Sequence, residues 1–121
     1  MKLGDAFLMP HPHQSFDHLW FVISDPAKHS GTFIIVNITG DEHRAGGECP
    51  LGPADHKWVN KKCWVSFGDA LEITPETAKH INSLMGKIIT AQPSLSPEVL
   101  AKIIKAGKTS KAIPVSFKKY L

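Results

Sequence analysis

Short apolar runs alternate with polar connections through the first 70 residues, and this pattern predicts β-strands joined by turns. The runs are rich in Val, Ile, Phe and Trp, residues that favour extended backbone. The longest connection, residues 40–53, holds four glycines and two prolines, and a loop of that length is expected to be functional or mobile. The predicted strands cover residues 5–9, 18–24, 32–39 and 57–67.

After residue 71 the apolar positions begin to recur at helical spacing. Thr74 followed by Pro75 is typical of a helix start, because the hydroxyl caps the first turn and proline fits the first position. Ser96 followed by Pro97 repeats this signal further along the chain. Gly107 is placed to end the second helix, so two helices are predicted in this part of the chain.

A chain of 121 residues and 13.3 kDa is long enough for a single hydrophobic core. We therefore predict one domain of mainly β (α+β) class, with a small SH3-like barrel of about five strands over 1–72 and a helical part over 73–121. No apolar stretch approaches the roughly 18–20 residues of a membrane span, and the amino terminus lacks the pattern of a secretion signal. With Cys49 and Cys63 as its two cysteines, the chain is expected to be cytoplasmic with reduced thiols.

The net charge of +3 is distributed unevenly along the chain. Residues 1–60 hold four Lys/Arg against seven Asp/Glu, a net −3, whereas residues 61–121 hold ten against four, a net +6. A lysine-rich half suits a polyanion or an acidic protein partner. The alternative is that these lysines are solvated side chains on exposed helix faces.

Three short motifs in the first 40 residues resemble the MazF/PemK/Kid toxins. They are Gly4-Asp5 at the start of the first strand, the run Phe-Val-Ile-Ser at 21–24, and Ile-Val-Asn-Ile-Thr at 35–39. The resemblance covers residues 3–40 well and the remainder loosely. It implies an SH3-like (PemK-like) barrel, usually dimeric, that cleaves RNA and is silenced by an antitoxin. RNA, an antitoxin-like protein and a second copy of the chain are therefore the expected partners.

The match to these toxins is partial at the positions that carry their activity. The family's essential arginine opens its second strand, and His18 stands at that position here, with Leu19 in place of the following proline. Thr39 matches the catalytic threonine at the end of the third strand. Histidine can replace the acid/base role of the arginine but not the bidentate grip of a guanidinium on phosphate. Arg44, on the long loop, is a candidate substitute for that grip.

The chemistry of RNA cleavage can also be argued from residue types alone. A base activates the 2′-hydroxyl, an acid protonates the leaving 5′-oxygen, and cations hold the phosphorane, so no metal or cofactor is required. His18 and His56 are the acid/base candidates, and Thr39 is a hydroxyl donor to phosphate. The expected nucleic-acid-binding residues are Arg44, Lys57, Lys61 and Lys62.

Histidines and cysteines, which are the usual zinc ligands, are frequent in the first half of the chain. The potential ligands are His11, His13, His18, His43, Cys49, His56 and Cys63. Their spacing matches neither CxxC nor HExxH, and no glutamate follows His11-x-His13 as a cupin would require. We therefore expect no bound metal.

Tryptophans in the fourth predicted strand could form a binding surface. On a regular strand Trp58 and Trp64 share one face, with Lys57, Lys61 and Cys63 on the other. Such a face could stack bases or form a dimer seam, although aromatic residues on strands more often belong to the core.

Two classes of function follow from these observations. The first is a toxin-type endoribonuclease that cleaves RNA without metal, or a degenerate relative of one. The second is a non-catalytic SH3-like module that binds nucleic acid or an antitoxin-like protein. Cleavage of RNA in the presence of a chelator would separate the two.

Overall fold

Residues 1–10 and 16–121 are described by a computed structural model. Six strands form one antiparallel sheet in the order β4-β5-β3-β2-β1-β6, curled into a half-barrel. This arrangement confirms the predicted mainly β (α+β) class and the small barrel, whose sheet has six strands among the described residues where about five were predicted. The strands are β1 (Ala6–Pro10), β2 (Asp17–Val22), β3 (Phe33–Thr39), β4 (Pro50–Leu51), β5 (Cys63–Ile73) and β6 (Thr90–Gln92). The helices are α1 (Glu42–Ala45), α2 (Pro75–Leu84) and α3 (Pro97–Thr109), with 3-10 helices at Pro26–Lys28 and Val115–Tyr120.

The two predicted helix starts are confirmed by their caps. The Thr74 hydroxyl accepts the backbone N–H of Thr77, and the Ser96 hydroxyl accepts that of Val99. Gly107 does not end α3, which continues to Thr109. A Cβ at position 107 would lie 3.2 Å from Cε1 of the buried Phe67, so this glycine lets α3 approach the sheet closely.

The fourth strand differs most from its prediction. It begins at Cys63, because residues 57–62 form turns and bends in which charged and apolar positions do not alternate. It then continues to Ile73 through a large bulge. Ile35 pairs with Leu71 and Asn37 with Ser66, so two steps along β3 correspond to five along β5.

Trp58 and Trp64 consequently do not share a strand face, and the prediction of a tryptophan surface there is wrong. Trp64 lies on β5 opposite Thr39, whereas Trp58 lies in the turn before the strand. The Lys62 ammonium lies 5.5 Å from the centroid of the Trp64 ring, and the two form a cation–π contact at the protein surface.

Both faces of the sheet are covered, which explains why β2 and β3 are apolar on consecutive positions. One core includes Phe21, Val65 and Phe67 of the sheet with Ile103 of α3. The other contains Phe7, Trp20 and Ile35 of the sheet with Ile81 of α2. The helical part is not purely helical, because β6 pairs with the edge of β1 and extends the sheet.

Within the described ranges, no helix is both long and apolar enough to cross a membrane.

Candidate functional site

A cavity of about 450 Å³ opens where β2 begins, β3 ends and β5 begins. These three strand ends meet because neighbouring strands in the sheet are antiparallel. The segment of α1 and the turn that precedes β5 also border the cavity. Among its lining residues are Phe16, His18, Thr39, Arg44, Trp58 and Lys61.

His18 and Thr39 both line this cavity. An imidazole and a hydroxyl that act on one phosphate must lie close together, and these two do. Trp20 of β2 pairs with Asn37 of β3. Since the strands are antiparallel, His18, two residues before Trp20, lies across from Thr39, two residues after Asn37. The His18 ring is half-buried and stacks on Phe16, with ring centroids 4.9 Å apart and an angle of 24° between the planes. Its Nδ1 lies 3.4 Å from the Asn37 side-chain amide, so the ring is held on two sides.

The Thr39 hydroxyl is oriented by the turn that follows β3. Its Oγ1 accepts the backbone N–H of Asp41 at 3.1 Å, which leaves the hydroxyl proton to donate to a ligand oxygen. The Asp41 carboxylate in turn accepts the backbone N–H of Arg44 at 3.2 Å and caps α1. The same short segment therefore places a hydroxyl and a guanidinium at the cavity.

Arg44 is held by a carboxylate from the bulge of β5. Its Nε and Nη2 donate to the Asp69 carboxylate at distances of 3.0–3.3 Å, and the Ser66 hydroxyl donates to the same carboxylate at 2.7 Å. The Arg44 side chain remains 42% exposed, so this ion pair contributes little stability and mainly fixes the direction of the guanidinium. Nη1 makes none of these bonds to Asp69.

The predicted lysines separate into two groups. Lys61 lines the cavity, and its side chain lies over Gly40, where a Cβ would be 3.8 Å from Lys61 Cε. Lys57 and Lys62 do not line the cavity. Both are exposed, and they flank in sequence the lining residues 58–61. The cavity thus combines two cations, Arg44 and Lys61, with the carboxylates of Asp17 and Asp41.

His56 is not brought to the cavity. It is 6% exposed and packs edge-on against Phe21, with ring centroids 5.8 Å apart. Its Nδ1 accepts the backbone N–H of Trp58 at 3.0 Å, so Nε2 carries the proton and donates to the Pro93 carbonyl at 2.6 Å. Both ring nitrogens are engaged by backbone groups, which makes His56 a structural link between the turn before β5 and the segment after β6.

Cys49 and Cys63 are free thiols in the core beside β4. Burial raises the pKa of the Cys49 thiol to about 11 and also raises the pKa of Cys63. Both are therefore neutral thiols at neutral pH and poor nucleophiles or metal ligands. Among the described residues no three His, Cys, Asp or Glu side chains converge as a metal site would require; His11 and His13 lie outside those residues.

The raised cysteine pKa predicts that the free energy of unfolding falls as the pH rises from about 9 to 11. In this window the unfolded thiol ionises while the buried thiol keeps its proton, so the unfolded state gains stability. We expect a loss of about 1–2 kcal/mol, measured by urea unfolding at pH 8 and pH 10.5. Cys49→Ser, which does not titrate, should lose less over the same interval; equal losses in the two proteins would contradict the assignment.

Sequence reasoning did not identify Phe16, Asp41, Asn37 or Asp69 as parts of this region. Asp41 was recognisable, since an aspartate followed by a helical turn and Gly46-Gly47 is typical of a capped short helix. Asp69 was not recognisable, because it lies in a bulge 25 residues along the chain from Arg44 and no local sequence pattern indicates their contact.

No protein-family model and no curated protein matches the sequence. The chain is similar in structure to a solved endoribonuclease, in complex with its cognate antitoxin, from a mycobacterial species. The TM-score is 0.57 at 14% sequence identity, and the alignment covers 94% of this chain and 95% of that one. At this identity the likeness shows the fold alone. The chain therefore shares the fold of that endoribonuclease.

Proposed function

We propose that this chain is a toxin-type endoribonuclease that cleaves RNA without a metal ion. The observation that supports this proposal best is the convergence of His18, Thr39, Arg44 and Lys61 on one cavity at the strand ends. A titratable imidazole, a hydroxyl donor and two cations are the groups that phosphodiester cleavage needs.

In the proposed reaction His18 takes the proton of the 2′-hydroxyl, and the 2′-oxygen attacks phosphorus. The bond from phosphorus to the 5′-oxygen breaks, and this oxygen takes a proton from the Lys61 ammonium. The products are a 2′,3′-cyclic phosphate and a 5′-hydroxyl. Thr39 donates its hydroxyl proton to a phosphoryl oxygen, and Arg44 offsets the charge of the phosphorane.

His56 is left out of this catalytic set because its two ring nitrogens already bond to backbone groups. Lys57 and Lys62 are retained as contacts for the flanking phosphates, since both are exposed beside the turn that lines the cavity. Phe16 and Trp58 are 60% and 41% exposed at the rim, where they can stack on the bases of single-stranded RNA.

We extend the proposal to an antitoxin-like protein partner, because the similar structure is a complex with a cognate antitoxin. The net charge of +6 over residues 61–121 suits an acidic partner. A homodimer and a cytoplasmic location belong to the same proposal. Light scattering of the purified chain at micromolar concentration tests the dimer directly.

A non-catalytic module that binds nucleic acid or an antitoxin-like protein is the second candidate. It is favoured by the Arg44–Asp69 pair, since a guanidinium held by a carboxylate on two of its nitrogens has fewer donors for phosphate. Histidine at position 18, where the toxins have arginine, also favours the non-catalytic module.

Incubation of the protein with single-stranded RNA in excess chelator separates the two candidates. We expect products ending in a cyclic phosphate, and no cleavage of a matched oligonucleotide in which the attacked ribose is 2′-deoxy. Binding without cleavage, whose affinity falls as salt rises, supports the module instead. Absence of both cleavage and salt-dependent binding contradicts the endoribonuclease and the nucleic-acid-binding module, and it leaves only a module that binds an antitoxin-like protein.

A further inference from the structure

The centre of β3 carries a buried polar side chain. Asn37 is 1% exposed and lies between Trp20 of β2 and Ser66 of β5. Its neighbours along the strand, Val36 and Ile38, belong to the core. A buried amide is costly unless its polar atoms are hydrogen-bonded, so its presence calls for a specific contact.

That contact is with His18. The Asn37 amide nitrogen lies 3.4 Å from His18 Nδ1, while the amide oxygen Oδ1 has no hydrogen-bond partner among the described residues. Turning the amide by 180° exchanges Oδ1 and Nδ2 with almost no change in shape. The buried oxygen then faces His18 Nδ1 and can accept a proton from it.

The two amide orientations give His18 different chemistry. With Nδ2 towards the ring, Nδ1 must be unprotonated and Nε2 must carry the proton, so a neutral ring can donate but cannot act as a base. With Oδ1 towards the ring, Nδ1 carries the proton and Nε2 can gain or lose one. The second orientation suits a general base, and it also suits the imidazolium formed after proton transfer.

We propose that Asn37 is a positioning residue for His18, whose Nδ1 proton is accepted by Asn37 Oδ1 so that Nε2 exchanges the proton with the ligand. This inference rests on the proposed function for its purpose, but the hydrogen bond itself can be tested without RNA. Asn37 acts through His18 and does not line the cavity itself.

The test is NMR of the ring nitrogens in ¹⁵N-histidine-labelled protein at a pH where the imidazoles are neutral. A His18→Gln variant assigns the His18 signals, and His56 serves as an internal reference because its backbone contacts require the Nε2–H form. We expect His18 in the Nδ1–H form. His18 found in the Nε2–H form overturns the proposal.

Variants at position 37 supply the second readout. Asn37→Leu should lose the Nδ1–H signature, whereas Asn37→Asp, whose carboxylate accepts, should keep it. Ser24→Ala is the matched control, since it removes a buried polar contact between β3 and the segment that follows β2, the 2.7 Å bond that Ser24 Oγ accepts from the Ile34 N–H, without touching His18. A signature unchanged in Asn37→Leu, or lost in Asn37→Asp, overturns the proposal.

RNA cleavage connects this inference to function while keeping the two separable. Asn37→Leu should lower kcat by about 100-fold with little change in KM, because the base is misoriented while binding is retained. A wild-type protein that shows the Nδ1–H form but cleaves no RNA contradicts the proposed function and leaves the His18–Asn37 contact standing.

Discussion

Replacing His18 by alanine should lower kcat/KM for RNA cleavage by about 10²- to 10⁴-fold, the range typical of a lost general base. The side chain is half-buried at the start of β2 and stacks on the exposed Phe16, so its removal leaves the two cores intact. The assay is initial-rate cleavage of a fluorogenic single-stranded oligonucleotide with chelator present. Circular dichroism of the same sample checks that the fold is retained.

The matched control for this variant is His80→Ala, because His80 is an exposed histidine on α2, the helix that packs in the second core. We expect it to cleave at the wild-type rate. A His18→Ala protein that is folded and as active as His80→Ala would remove His18 from the reaction. Activity lost equally in both variants would instead indicate general damage to the protein.

Replacing His56 by alanine should reduce the free energy of unfolding by about 3 kcal/mol, since two part-buried backbone groups lose their partner and the buried ring leaves a cavity beside Phe21. Urea unfolding at neutral pH measures the change. His80→Ala should shift the same quantity by less than about 0.5 kcal/mol. A His56→Ala protein of wild-type stability whose cleavage is abolished would return His56 to the catalytic set.

The elements that sequence reasoning found correctly are those with local signatures. Thr74-Pro75 and Ser96-Pro97 are helix starts whose capping bonds lie within three residues. The strands around Leu19 and Val36 were visible because both faces of the sheet are covered, which requires continuous apolar runs.

The features that sequence reasoning missed depend on pairings between distant parts of the chain. β6 is three residues long and exposed or half-buried, and nothing in Thr90–Gln92 alone indicates that it will pair with β1. The continuation of β5 to Ile73 was hidden by its bulge, where Gly68 and Asp69 interrupt the apolar alternation.

The candidate site shows the same division. Thr39 and His18 were brought together correctly because strand ends in an antiparallel sheet meet at one edge. His56 was an acid/base candidate by residue type, but its ring nitrogens bond to the Trp58 N–H and the Pro93 carbonyl, the latter 37 residues away. Sequence spacing gave no sign of these two contacts.

The pairing of Ala6 with Gln92 joins residues 86 positions apart in the chain. Until Gln92 has been synthesised, the outer edge of β1 has no strand to pair with, and closing so long a segment costs chain entropy before any contact repays it. We therefore expect this protein to fold late and slowly relative to helical proteins of its size. A nascent chain would present an open sheet edge to the cell during that interval.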